Sequence, residues 1–174
     1  MKGGTLVASA TNGDAVDCNG NFTMTGGTLL AYGPANNTNE DIDVNGNILI
    51  NGGLFFGACY NSSMFETITS SSTQTGVCLK SSSQLSTGSN YFHIQNASGT
   101  DLGTFMPPRG AYYYHFSSPS LAASTTYTVY IGGSYSNATS SLGGYYTGGT
   151  YSNTNATKKT FTTGTSKITT VNSF

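Results

Sequence analysis

A chain of 174 residues is long enough to bury one sizeable core and offers no boundary for a second, so a single domain over 1–174 is expected. Charged residues make up only 7%, and the basic residues Lys2, Lys80, Arg109, Lys158, Lys159 and Lys167 never cluster; the chain therefore has no electrostatic footprint for nucleic acid. Aromatics at 12%, with 23 glycines and a net charge of −1, exclude a disordered polar chain and favour ordered all-β structure with Ser-, Thr- and Asn-coated faces.

Met1 and Lys2 run straight into Gly3-Gly4 with no signal peptide, so an excised fragment or numbering that begins inside a longer protein is expected. No apolar run approaches the roughly 18 residues of a membrane span.

The segment from Gly13 to Ala31 recurs 26 positions later as Asn39 to Gly57, and a partial copy, Gly3 to Ala8, precedes Gly26 by 23 residues. Such periods suit one coil of a solenoid, and each copy divides into short strands at Asn-Gly and Gly-Gly turns. Phe22 and Met24, matched by Ile48 and Ile50, alternate with polar neighbours as a strand with one buried face does. The expected fold is all-β: a right-handed parallel β-helix, or solenoid, with repeat coils over 1–60 and an irregular β or capping region over 77–174. An antiparallel sandwich with coincidental Asn-Gly hairpins stays open; the Gly-Gly at one phase in three copies argues against it.

Residues 62–76 are Ser/Thr-rich, and the repeat is no longer visible after them. Strand-like runs follow at Tyr91 to Gln95, Leu102 to Phe105, Tyr112 to Phe116 and Tyr127 to Ile131. They either pair as a small antiparallel sheet or continue the coils irregularly. Gly132 to Lys159 is Gly/Ser/Thr/Tyr-rich without clear period, and Thr160 to Val171 reads as a last strand. Cys18, Cys59 and Cys78 match neither a zinc spacing nor a redox pair; a disulfide between Cys59 and Cys78 stays open, with Cys18 left over as a buried thiol.

Asp14, Asp17, Glu40, Asp41 and Asp43 fall in equivalent or adjacent positions of the two full copies, and no lysine or arginine lies between Gly3 and Leu79. Stacked about 4.8 Å apart, Asp17 would lie over Asp43 and Asp14 over Glu40. Like charges that close repel by roughly 3 kcal/mol at an effective dielectric near 20. A calcium ion would offset that repulsion, since hard cations take several oxygens from carboxylates, carbonyls and asparagines; acids solvated on an outer face are the alternative.

The Gly13-Asp14-Ala15-Val16-Asp17 motif, followed by Asn19-Gly20-Asn21-Phe22-Thr23-Met24-Thr25-Gly26-Gly27-Thr28, resembles a bacterial family of extracellular carbohydrate-binding parallel β-helix proteins, related in fold to pectate lyases. The likeness continues in Ser117 to Leu121, Thr125 to Ser134 and Tyr145 to Thr150, and so covers most of the chain. It implies binding of cellulose or acidic polysaccharides outside the cell or at its surface, with calcium on Asp14, Asp17 and Asp43. The sequence departs from the family pattern at Asn39-Glu40-Asp41 and is expected to lack the family's N-terminal coils, which leaves the sugar open.

A lyase on such a fold needs an Arg or Lys base beside calcium, and the repeats contain none. Arg109 lies far along the chain, and His93 and His115 sit in strand-like runs without an evident Ser, Cys or Asp partner. The chain is therefore read as non-catalytic. Sugar binding uses aromatic faces, for which Tyr112, Tyr113, Tyr114, Tyr145 and Tyr146 are the candidates, against the alternative that tyrosines simply pack with their hydroxyls at the surface. An uncapped coil at Gly3 also invites stacking on identical subunits, as in an extracellular filament or surface array. Sequons at Asn21, Asn36, Asn61, Asn96, Asn137 and Asn155 permit glycosylation without indicating it, because so Asn- and Ser/Thr-rich a chain produces them by chance.

Overall fold

The computed structural model describes residues 1–88 and 90–174. Within them the chain is almost entirely β. The strands are β1 (Thr5–Ser9), β2 (Asp17–Cys18), β3 (Phe22–Tyr32), β4 (Asp43–Val44), β5 (Ile48–Cys59), β6 (Gly76–Lys80), β7 (Ser86–Thr87), β8 (Phe92–Gln95) and β9 (Asp101–Phe105). They continue as β10 (Gly110–Ala111), β11 (Tyr113–Ser117), β12 (Thr126–Ile131), β13 (Ser134–Ser136), β14 (Tyr145–Tyr146), β15 (Thr150–Ser152), β16 (Thr157–Thr162) and β17 (Ile168–Val171).

The sequence copies stack in parallel at their own periods. β1 pairs with β3 at Thr5↔Thr28, and β3 pairs with β5 at Phe22↔Ile48, Met24↔Ile50 and Leu29↔Phe55. The short β2 and β4 stack as Asp17↔Asp43 and Cys18↔Val44. Glycine is required at the shared turn: Gly27 and Gly53 have φ of 90° and 94°, and a Cβ on either would stand 2.5 Å from the carbonyl oxygen of the glycine one copy earlier. Both the left-handed backbone and the spacing between copies thus demand it.

The Ser/Thr-rich passage proves to be a third layer on the same stack. Thr69 N–H donates to Ile48 O and Gln74 N–H to Ile50 O, Ile50 N–H donates to Ser72 Oγ, Thr73 N–H donates to Asn51 Oδ1 and Val44 N–H donates to Glu66 Oε2. Side-chain oxygens replace part of the backbone ladder here, so no hydrophobic alternation is left for the eye to follow.

From 76 onward the arrangement is regular rather than an irregular cap. β6, β11 and β17 join the sheet of the repeats, in the order β1-β3-β5-β11-β6-β17, where β11 alone runs antiparallel to its neighbours. A second sheet, β14-β9-β8-β12-β16, is antiparallel throughout. The expected last strand is two, β16 and β17, in different sheets. The all-β expectation holds, and these sheets are open ones.

The central strands of the large sheet are buried on both faces, which explains the unbroken apolar runs Leu29 to Tyr32 and Leu54 to Cys59. Leu30, Tyr32, Phe56, Val77, Tyr114 and Phe116 face the antiparallel sheet, meeting Phe92, Ile94, Phe105 and Val129. Phe56 stacks on Phe105 with ring centroids 4.0 Å apart and planes within 2°; truncating such a side chain to alanine costs about 3–5 kcal/mol. The alternate residues Leu29, Ala31, Phe55 and Cys78 face the other way, toward Met24, Ile42, Ile50, Phe65 and Ile68. Arg109 ties the C-terminal half to the repeats, donating to Gly33 O, Tyr32 O and Ser9 Oγ.

The three cysteines are free thiols. Cys59 pairs with Tyr113 on one side of β11 and Cys78 with His115 on the other, so a whole strand separates them. Two strand spacings, about 9.6 Å, exceed the reach of a disulfide. Cys18 is half-buried instead of lying in the core.

Candidate functional site

The five acids singled out in the sequence separate into two groups. Asp14, Asp17 and Asp43 lie on the outside of the stack, Asp17 directly beside Asp43, while Asp14 Oδ1 accepts the backbone N–H of Glu40 at 2.6 Å. Glu66, from the third layer, completes the outer group. Burial and then the charges of Asp14 and Asp17 raise the Asp43 carboxyl above its ordinary value. Glu66 is raised by burial against the pull of the Val44 N–H, with Asp43 and Asp14 adding to the rise. Burial is the first cause of both rises, and the neighbouring carboxylates add to it. Among the described residues no three His, Cys, Asp or Glu side chains converge as a ready set of metal ligands; a cation beside the Asp17–Asp43 pair and Asp14 would need carbonyl and amide oxygens to complete its shell.

Glu40 and Asp41 point inward. Asp41 Oδ2 lies 2.7 Å from His115 Nδ1, and His115 Nε2 donates to Glu66 O at 2.8 Å; Asp41 and His115 are both fully buried. Burial opposes a charged imidazole, yet the Asp41 carboxylate, with Cys78 nearby, outweighs it and holds His115 well above its ordinary value. The pair is therefore ionic. Glu40 Oε2 accepts the Glu66 N–H, whereas Glu40 Oε1 and Asp41 Oδ1 are buried without a protein partner, and burial pushes the Glu40 carboxyl up to about 7. The His115 partner that the sequence did not reveal is Asp41, 74 residues away. This buried cluster ties β11 to the bend at Asp41, before β4, and to the Glu66 backbone above it.

The tyrosine triplet does not present one common face. Tyr114 is wholly buried, stacks on Phe92 and donates its hydroxyl to Ala111 O. Strand alternation sends Tyr113 to the opposite side, against Phe65, and leaves Tyr112 edge-on to Tyr60. Tyr145 stacks on Phe105. Tyr146 instead joins Tyr91 and Tyr135 in an aromatic layer over the outer face of the antiparallel sheet.

On that outer face lies an open cleft of about 420 Å³, lined by His93, Gln95, Asp101, Tyr151, Ser152 and Asn153, with Gly99 and Gly149 at its edges. Three elements build it. β8 and β9 present His93, Gln95 and Thr104 outward, because Phe92, Ile94 and Phe105 face the core. The Asn96–Thr100 turn, held by Asn96 Oδ1 accepting the N–H groups of Ser98 and Thr100, forms one wall. The β13–β15 ribbon lays Tyr151 flat on His93, with ring centroids 3.9 Å apart and planes within 10°.

His93, Asp101 and Tyr151 are each held by hydrogen bonds. His93 Nδ1 meets Thr104 Oγ1 at 2.7 Å and His93 Nε2 meets Gln95 Oε1 at 3.3 Å. Burial lowers the His93 pKa against the pull of Asp101, so the ring is neutral at neutral pH and carries one N–H; because the Thr104 hydroxyl donates to Asp101 Oδ2, that N–H is Nδ1–H, donating to Thr104 Oγ1, and Nε2 is the lone-pair nitrogen facing the Gln95 amide. Asp101 Oδ1 accepts the Gly103 N–H at 2.7 Å and Oδ2 the Thr104 hydroxyl at 3.3 Å, yet the side chain remains 46% exposed. Tyr151 donates its hydroxyl to Gly132 O at 2.9 Å. A polar, pre-formed cleft with one aromatic wall can hold a hydroxyl-rich ligand by amide and carboxylate edges. The sequence hid it because Tyr151 and Asn153 lie in the stretch without period, and their meeting with His93 depends on pairing across two sheets.

No family model, curated protein or solved structure matches the chain.

Proposed function

We propose that the protein is a non-catalytic carbohydrate-binding module acting outside the cell or at its surface, with the polysaccharide held in the cleft at Tyr151. The carrying observation is the cleft: one aromatic ring braced on a buried imidazole, surrounded by the carboxylate of Asp101 and the amides of Gln95 and Asn153. Open walls suit a chain-like ligand that runs past the site. His93, the one imidazole lining it, is 4% exposed and engaged through both nitrogens, a binding environment more than a reactive one.

The parallel stacking of three copies in the first third supports reading that part as the end of a right-handed parallel β-helix, onto which the two-sheet C-terminal part is built. Calcium belongs to this reading as a stabilising ion on the outer column, held by Asp14, Asp17 and Asp43. Affinity electrophoresis through gels containing neutral or acidic polysaccharide tests the central function: the protein is retarded, and Tyr151→Ala runs freely. Equal migration in every gel and in the ligand-free control would sink it.

A second reading, self-assembly into a filament or array, is favoured by one observation. The large sheet ends in β1 and β17, which run in the same direction, and β1 carries Leu6 and Val7 exposed at 45% and 38%. An open edge of that kind is a template for pairing with another copy. Light scattering at high concentration distinguishes it, since a strictly monomeric particle leaves no room for a filament.

A further inference from the structure

The charge of the cleft is one-sided. Among the described residues Asp101 is the one acid in its lining, and no lysine or arginine lines it. Its carboxylate cannot swing away to let an anion pass, because the Gly103 N–H and the Thr104 hydroxyl hold its two oxygens. The only imidazole is His93, and burial keeps it neutral at neutral pH. Lys158 shares the outer face, opposite Tyr130 in β16, but it stands two strands from His93, a separation of about 9.6 Å. It is not among the residues that line the cleft.

Resting on the carbohydrate-binding reading, we infer that this cleft ranks sugars by charge: an amino sugar bearing a protonated amine binds more tightly than its neutral counterpart, and a uronate binds least. Asp101 is the specificity-determining residue. An ammonium gains a charge-assisted hydrogen bond from the free arc of the carboxylate, a neutral hydroxyl gains an ordinary one, and a second carboxylate meets like charge with no cation to bridge it. The partner is thus a glycan of glucosamine type or a neutral glucan, in preference to a pectin-like acid.

The test is titration calorimetry with tetramers of β-1,4-linked glucosamine, of β-1,4-linked glucose and of galacturonic acid. It is run at about pH 6, where the amine holds its proton and the uronates have lost theirs. The expected order is glucosamine, then glucose, then galacturonate, with about five- to tenfold between the extremes, shrinking in about 1 M salt. Asp101→Asn keeps an oxygen for the Gly103 N–H and collapses the order to within about threefold. Asn153→Lys, at an exposed lining position, reverses the order toward galacturonate without touching the Asp101 anchor. Galacturonate binding best in the unaltered protein, or an order indifferent to both substitutions, overturns the charge ranking and leaves carbohydrate binding standing. Failure of all three tetramers, with long polysaccharides of the same three kinds also failing to bind, removes both.

Discussion

Asp41 and His115 form a fully buried ion pair, Oδ2 to Nδ1 at 2.7 Å, between the second sequence copy and the one antiparallel strand of the large sheet. His115 is sandwiched there between Phe55 and Phe65, with ring centroids 5.4 Å and 4.4 Å away. Desolvation makes such a pair a modest net stabiliser, but removing one partner strands a charge in the core. His115→Gln should therefore cost about 3–5 kcal/mol in urea denaturation. The double variant Asp41→Asn with His115→Gln should lose clearly less than the sum of the single losses. A His115→Gln protein as stable as the parent would mean that the pair does not hold the two parts together.

Glu40 gives the protein a pH dependence with a definite sign. Its carboxyl is raised from the ordinary 4.5 to about 7, so the folded chain keeps a proton that the unfolded chain releases across that window. Stability is greatest on the acid side and declines as pH climbs from 4.5 to 7. His115, held well above its ordinary 6.5, acts in the same sense: its contribution is complete below 6.5 and is lost as pH rises through its folded value. His93, lowered by burial, works oppositely, since it must charge as pH falls below 6.5. Glu40→Gln isolates the first contribution. It should raise stability at about pH 8 by roughly 1–2 kcal/mol and flatten the decline between pH 4.5 and 7; melting curves across pH give the answer, and parallel profiles for parent and variant would contradict it.

The outer acids predict a response to calcium. A cation on Asp14, Asp17 and Asp43 relieves the repulsion that adds to the burial-driven rise of Asp43, and binding to the native state alone must raise the melting temperature by linkage. The expected result is a rise with millimolar-range calcium that a chelator reverses and that Asp43→Asn abolishes. A melting temperature indifferent to calcium and chelator would make these acids a solvated, screened surface.

The separation of what sequence reveals from what it hides follows the chemistry of each contact. The stacking of Asp17 on Asp43 and of Phe22 on Ile48 was legible because a parallel ladder at constant spacing requires the same residue type at each repeat. The third layer was not, because Ser72, Thr73 and Glu66 bind the previous copy through side-chain oxygens and bury little apolar surface of their own. The later strands were legible as elements, and Phe92–Gln95, Asp101–Phe105, Tyr113–Ser117 and Thr126–Ile131 lie within a residue of where alternation puts them. Their partners were hidden: nothing local announces that β11 slips between β5 and β6. That one insertion separates Cys59 from Cys78, buries Tyr114 and delivers His115 to Asp41. The cleft was hidden for the same reason, since Tyr151 reaches His93 only through the β13–β15 ribbon.

The most direct measurement is titration calorimetry of a neutral β-1,4-glucan oligosaccharide against the parent protein, Tyr151→Ala, Tyr151→Phe and Tyr112→Ala. Saturable binding to the parent is expected, weakened at least about tenfold in Tyr151→Ala and nearly unchanged in Tyr151→Phe and Tyr112→Ala. Binding that survives Tyr151→Ala at full affinity, in a variant that still melts cooperatively, would contradict the cleft as the sugar site.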